Sequence, residues 1–202
     1  MVQRSEAPAV TAWGPSARRS QQIPRPGRLE RAKQVALELA LEGGYDAVTM
    51  PRVAERSGVS RANLYQHFVS KDHLIAAAFG DIVETTIGVP RGRALSAPTA
   101  GERVLAYFDQ AIDRSIARPK LIDAYVRAFA RAPNDVINAI PNVLAERLEH
   151  VLGPSIRNRA EVALILELVY STLISAVVGR GAPVDRMRAD LRTAVKVILG
   201  KR

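Results

Sequence analysis

The chain contains no cysteine, which excludes disulfides, thiolate zinc sites, iron–sulfur clusters and a cysteine nucleophile. Histidine is scarce: there are only His67, His73 and His150, and the first two are separated by a predicted helix break, so they cannot share a metal as an i, i+4 pair would. Phosphate-cradling loops and the dinucleotide glycine fingerprint are absent. The run Gly58-Val59-Ser60-Arg61-Ala62 fails as a nucleophile elbow, because it lacks the closing glycine and no strand precedes it. Together these absences point away from an enzyme and from any cofactor. Long apolar runs are also missing. The most apolar stretch, Val162 to Val178, is broken by Glu167, Ser171, Thr172 and Ser175 and falls short of the roughly 20 residues a membrane span needs. No apolar segment follows the first basic residue, so a secretory signal is not expected, and the chain reads as cytoplasmic with no membrane partner. Lysine is thin as well. Of 29 basic residues only Lys33, Lys71, Lys120, Lys196 and Lys201 are lysine, an arginine bias that fits a GC-rich, actinobacterial or similar genome.

What remains is 202 residues with 48% apolar and 24% charged content, ordinary for a globular chain, and a net charge of +9. That charge is unevenly spread. Arg4, Arg18, Arg19, Arg25, Arg28 and Arg31 face only Glu6 and Glu30, whereas residues 32–78 balance. The N-terminal arm also carries Pro8, Pro15, Pro24 and Pro26 without an apolar period, so residues 1–26 are expected to be a disordered basic arm suited to a polyanion.

Beyond the arm the chain reads as helix after helix, with no period-2 strand and no internal repeat. A first helix is predicted from Arg28 to Leu41, stopping at Gly43-Gly44. A short second helix starts at Thr49 as N-cap with Pro51 in its first turn, and ends at Ser57-Gly58-Val59. Ser60 caps a third, in which Leu64 and Phe68 share one face and the other is polar or aromatic. Ser70 caps a fourth that opens Lys71-Asp72-His73-Leu74. Two short helices joined by a tight glycine turn, behind a basic arm, specify a helix-turn-helix in residues 27–74. Its outward face offers Arg61 to guanine or phosphate, Asn63 and Gln66 to adenine, and Ser60, Tyr65 and Lys71 to phosphates. Arg28 and the arm's Arg18, Arg19 and Arg25 suit phosphate or minor-groove contacts. The partner implied is a double-stranded DNA operator.

Gly44-Tyr45-Asp46-Ala47-Val48-Thr49, Val53-Ala54, Ser57-Gly58-Val59-Ser60, Leu64-Tyr65-Gln66-His67-Phe68 and Ser70-Lys71-Asp72-His73-Leu74 together resemble the tetracycline-repressor (TetR) family of bacterial regulators in order and spacing. The resemblance implies that Thr49 and Tyr65 contact phosphates, that Arg61, Asn63, Gln66 and His67 face the groove, and that Lys71 opens the fourth helix on a phosphate. The alternative for Tyr65 and His67 is packing against neighbouring helices. Met50-Pro51-Arg52 and Ala62-Asn63 depart from the family's usual residues, so no base preference carries over.

The expected fold is all-α: an N-terminal three-helix DNA-binding domain followed, over residues 75–202, by a helical ligand-binding and dimerisation domain. Further helices are predicted over 99–118, 119–131, 133–148 with a kink at Pro141, 158–178 and 184–199. By resemblance, the last two helices pair with their copies in a homodimer, with Ile165, Val169, Leu173, Leu191 and Val195 at the interface, and the preceding helices enclose a small-molecule effector. Tyr107, Phe108, Tyr125, Phe129 and Tyr170 are the candidate effector contacts, because tyrosine offers an apolar wall with a polar tip; the same side chains suit a plain bundle core. Glu167 stands out as a carboxylate among apolar neighbours. The layout is loosely similar to relatives that sense lipid or steroid acyl-CoA thioesters. The expected function is a repressor on a palindromic operator, and the rival is an effector-independent architectural DNA binder.

Overall fold

The computed structural model describes residues 27–83, 90–132, 134 and 143–200, and among them there is no strand. The first helix, α1 (Arg28–Gly43), turns Ala32, Val35, Ala36, Leu39 and Ala40 inward and ends where Gly44 takes φ 72° and returns its N–H to the Ala40 carbonyl. A 3-10 turn, Tyr45–Ala47, folds back at once. It comes so close that a Cβ on Gly43 would lie 2.7 Å from that of Ala47. Helix α2 (Met50–Ser57) is capped by Thr49, whose Oγ1 accepts from the Arg52 N–H at 3.4 Å, and closes on Gly58 in the left-handed region at φ 71°. In α3 (Arg61–His67) the Ser60 hydroxyl accepts from the Asn63 N–H at 3.2 Å, and in α4 (Lys71–Ile82) Ser70 does the same for His73 at 3.1 Å. Helices α2, α3 and α4 thus start on side-chain caps, and α1 and α2 stop at glycines with positive φ.

A short helix that periodicity did not predict, α5 (Arg93–Ser96), precedes α6 (Ala100–Ile116). At the start of α6, Thr99 and Glu102 form a reciprocal capping box, with Glu102 N–H on Thr99 Oγ1 at 3.2 Å and Thr99 N–H on Glu102 Oε2 at 3.1 Å. Then follow α7 (Pro119–Phe129), α8 (Val143–Leu152), α9 (Arg159–Arg180) and α10 (Val184–Leu199). The arm and the predicted Pro141 kink lie outside the described residues.

Two arginines lock this half. Arg103 donates to the carbonyls of Val151 at 2.8 Å, Leu152 at 2.7 Å and Ala97 at 3.1 Å, so the C-terminus of α8 is held against α6. Arg188 of α10 pairs with Asp109 and, at 2.6 Å, with Asp113 of α6. Helix α9 runs to 22 residues, two beyond the predicted end, and by length and composition alone could cross a membrane. Within the chain it packs on α7, α8 and α10, burying Ala163, Leu166, Tyr170 and Ile174. Helix α4 continues unbroken past residue 74 and touches both α1 and α7, so the two halves share one continuous apolar core.

Candidate nucleic-acid interface

Leu64, Phe68 and Val59 are buried in the apolar core, which fixes which side of α3 faces out. That side presents Arg61, Ala62, Gln66 and His67, all exposed, together with Tyr65 at 54% exposure. Tyr65 leaves about half of its surface in water and His67 is exposed, so neither is a buried core residue. Asn63 is half-buried at the first turn, where its N–H serves the Ser60 cap and its side-chain amide stays available. Thr49 and Lys71, both half-buried, sit at the starts of α2 and α4, and Arg28 is exposed at the start of α1.

The five aromatics proposed for an effector divide into two groups. Phe108 stacks on Tyr170 with centroids 5.4 Å apart and tilts against Tyr107 at 5.9 Å; all three are buried. Tyr125 stacks on Phe79 of α4 at 3.8 Å and approaches Phe129, which is 42% exposed, at 5.5 Å. Glu167 links the groups: its charge adds to the burial that raises the hydroxyl pKa values of Tyr107, Tyr125 and Tyr170, the last to about 12. Tyr170 shares a hydrogen bond with Ser115 at 3.0 Å. The Tyr107 hydroxyl is buried with no hydrogen-bond partner among the described residues, an arrangement that costs about 1–3 kcal/mol unless something meets it. Sequence reasoning chose the ring but had no signal for its orphaned oxygen.

The predicted dimer residues also part company. Ile165 is exposed at 49%, and Val169 and Leu173 are half-buried on α9. Leu191 and Val195 turn inward and are 1% and 3% exposed within a single chain, because the apolar stripe of α10 is consumed by α6 and α9. The outward apolar residues are Leu164, Ile165 and Leu168 of α9 and Val197 of α10.

A further set of contacts, not anticipated from sequence, joins the halves. Lys120 donates to the Glu42 carbonyl at 2.8 Å, Arg127 pairs with Asp46 at 3.2 Å, and Tyr45 is surrounded by cations.

Residues 34–78 match the model of the bacterial regulatory proteins of the tetR family. Over 180 residues the chain is 31% identical to the HTH-type transcriptional repressor KstR of Rhodococcus jostii, spanning 86% of this chain and 83% of that protein. A TetR transcriptional regulator from Rhodococcus sp. RHA1 shares the fold with a TM-score of 0.74 at 23% identity, over 86% of this chain and 96% of the other. The fold is shared too by the regulator FadR of Bacillus subtilis, solved in complex with stearoyl-CoA, with a TM-score of 0.59 at 13% identity over 83% and 96% of the two chains. The chain belongs to the TetR family and is a DNA-binding transcriptional regulator.

Proposed function

We propose that the chain is a ligand-controlled repressor that binds a palindromic operator as a homodimer. The observation that carries this reading is the outward face of α3, polar and solvent-exposed although its other side is locked into the core by Leu64 and Phe68. In this reading Arg61, Asn63, Gln66 and His67 read bases, while Thr49, Ser60, Tyr65, Lys71 and Arg28 hold phosphates. Two copies of α3 then enter successive major grooves about 34 to 36 Å apart or somewhat more. Dimerisation through α9 and α10 is supported by the outward Leu164, Ile165, Leu168 and Val197. Val169 and Leu173 flank that patch, and Leu191 and Val195 support it from within. Repression is supported by the KstR relative.

The effector is a small, largely apolar molecule with a hydrogen-bonding group, received between Tyr107, Phe108, Tyr170, Tyr125 and Phe129. Its support is the orphaned Tyr107 hydroxyl among stacked rings, a site that a carbonyl or hydroxyl of a ligand would satisfy. The lipid or steroid part of an acyl-CoA, with its thioester carbonyl, fits that description, and the stearoyl-CoA held by a regulator of the same fold supports it.

The test is selection of bound DNA from a random pool by purified protein, followed by thermal shift and DNA release with acyl-CoA and steroid panels. A palindromic motif released by one of these ligands supports the reading. Sequence-independent enrichment with no ligand response would replace it with an architectural DNA binder.

A further inference from the structure

Tyr45 is 7% exposed in the turn between α1 and α2, and it is the meeting point of three elements. Its hydroxyl donates to Asp72 Oδ1 at 2.7 Å. The Lys71 ammonium lies 3.7 Å from the centroid of its ring, the Arg127 guanidinium 4.4 Å and that of Arg131 5.2 Å. Arg127 is itself tied to Asp46, the residue after Tyr45, and to Asp123 at 3.6 Å. The ring thus accepts cations from the first turn of α4 and from the end of α7 and the residues just beyond it. Lys71, Arg127 and Arg131 meet at the same ring, so displacing one alters the surroundings of the others.

We infer that Tyr45 is a positioning residue for DNA binding: its ring sets the Lys71 ammonium at the head of α4, and through Arg127 it makes that setting depend on where α7 stands. The inference rests on Lys71 being a phosphate contact. It extends that reading because α7 also carries Tyr125 and Phe129 of the aromatic core, and Tyr125 stacks on Phe79 of α4. A molecule that shifts α7 therefore acts on a DNA-contacting charge through one ring, with no large rearrangement of α3 required.

The experiment measures affinity for the DNA fragment selected by the wild type, across a salt series, for Tyr45→Phe, Tyr45→Leu, Arg127→Gln, Lys71→Ala and the Lys71→Ala/Arg127→Gln double variant. Arg118→Gln, at the far end of α7, controls for the loss of one positive charge. Tyr45→Phe keeps the ring and the wild-type salt slope. Tyr45→Leu weakens binding roughly three- to tenfold and reduces the slope by about one, as Lys71→Ala does. Arg127→Gln weakens binding beyond Arg118→Gln, and only while Lys71 is present. Equal losses for Tyr45→Phe and Tyr45→Leu, or additive effects of Lys71→Ala and Arg127→Gln, would overturn the inference.

A second measurement needs no DNA. The Lys71 side-chain methylene protons, assigned by their loss in Lys71→Ala, resonate at high field under the Tyr45 ring and move in Arg127→Gln. Random-coil positions in the wild type, or no movement in Arg127→Gln, overturn it equally. A wild type that selects no DNA removes the operator reading alone, and the proton shifts still decide whether Tyr45 and Arg127 set Lys71.

Discussion

Tyr107 shows how one atom can hold information that its ring does not. Its hydroxyl is buried without a partner among the described residues, while Tyr170, stacked one ring away on Phe108, satisfies its own through Ser115. Removing an unmet polar atom without changing ring packing relieves a desolvation penalty, so Tyr107→Phe should raise ligand-free stability by about 1 kcal/mol in urea unfolding. The same change should blunt the DNA-release response to the effector found in the panels; an unchanged response would take Tyr107 out of the site. On the opposite half of the molecule, Asn63 and Gln66 differ from the phosphate anchors in what their loss would do. Asn63→Ala or Gln66→Ala should reduce discrimination at one base pair by about 1–3 kcal/mol while binding to random DNA barely moves, as read from competition against randomised sites.

The helices of the N-terminal half are short and depend on their ends. Seven residues cannot sustain α3 by propensity alone, so its existence rests on Ser60, on the left-handed Gly58 and on Leu64 and Phe68 packing beneath it. Helix α6 is long, yet it too is anchored at its start, by Thr99 and Glu102, directly beside the Arg103 clamp on α8. Thr99→Ala should therefore lower stability by about 1 kcal/mol, measured by thermal or urea unfolding, without altering base preference. A shift in base preference would mean that the end of α6 communicates with α3. The capping box was available to a sequence reader in Thr99 and Glu102, since it requires only that spacing ahead of an apolar period. Helix α5 was not, because four residues carry too little periodicity to register.

For the molecule as a whole, the question is which apolar surface a second copy covers. Leu164, Ile165, Leu168 and Val197 leave about half of each side chain in water in one chain, a patch that association would bury. Leu168→Glu should yield a monomer by sedimentation that holds a half-site weakly and no longer grips the full operator. A dimer that persists would move the interface off α9. Leu191 and Val195, by contrast, should unfold the chain rather than split a dimer when replaced by charge, because they are core residues of one subunit.

The helical class, the helix-turn-helix and the outward side of its third helix were legible in the order of residues, because each depends on neighbours within a turn or two. Caps at Thr49, Ser60 and Ser70, a positive φ at Gly58 and the i, i+4 pair Leu64 and Phe68 act locally. Periodicity also marked the apolar stripes of α9 and α10. A stripe records that a face is covered, though, and not by what: Leu191 and Val195, read as interface, are already buried within one chain. The remaining features were decided by packing between residues far apart in the chain: the Ser115 and Tyr170 hydrogen bond, 55 positions apart, and the Arg127 and Asp46 pair, 81 apart. The orphaned Tyr107 hydroxyl and the cations around Tyr45 arise in the same way, since burial and cation–π contact are properties of assembled helices that no local pattern encodes.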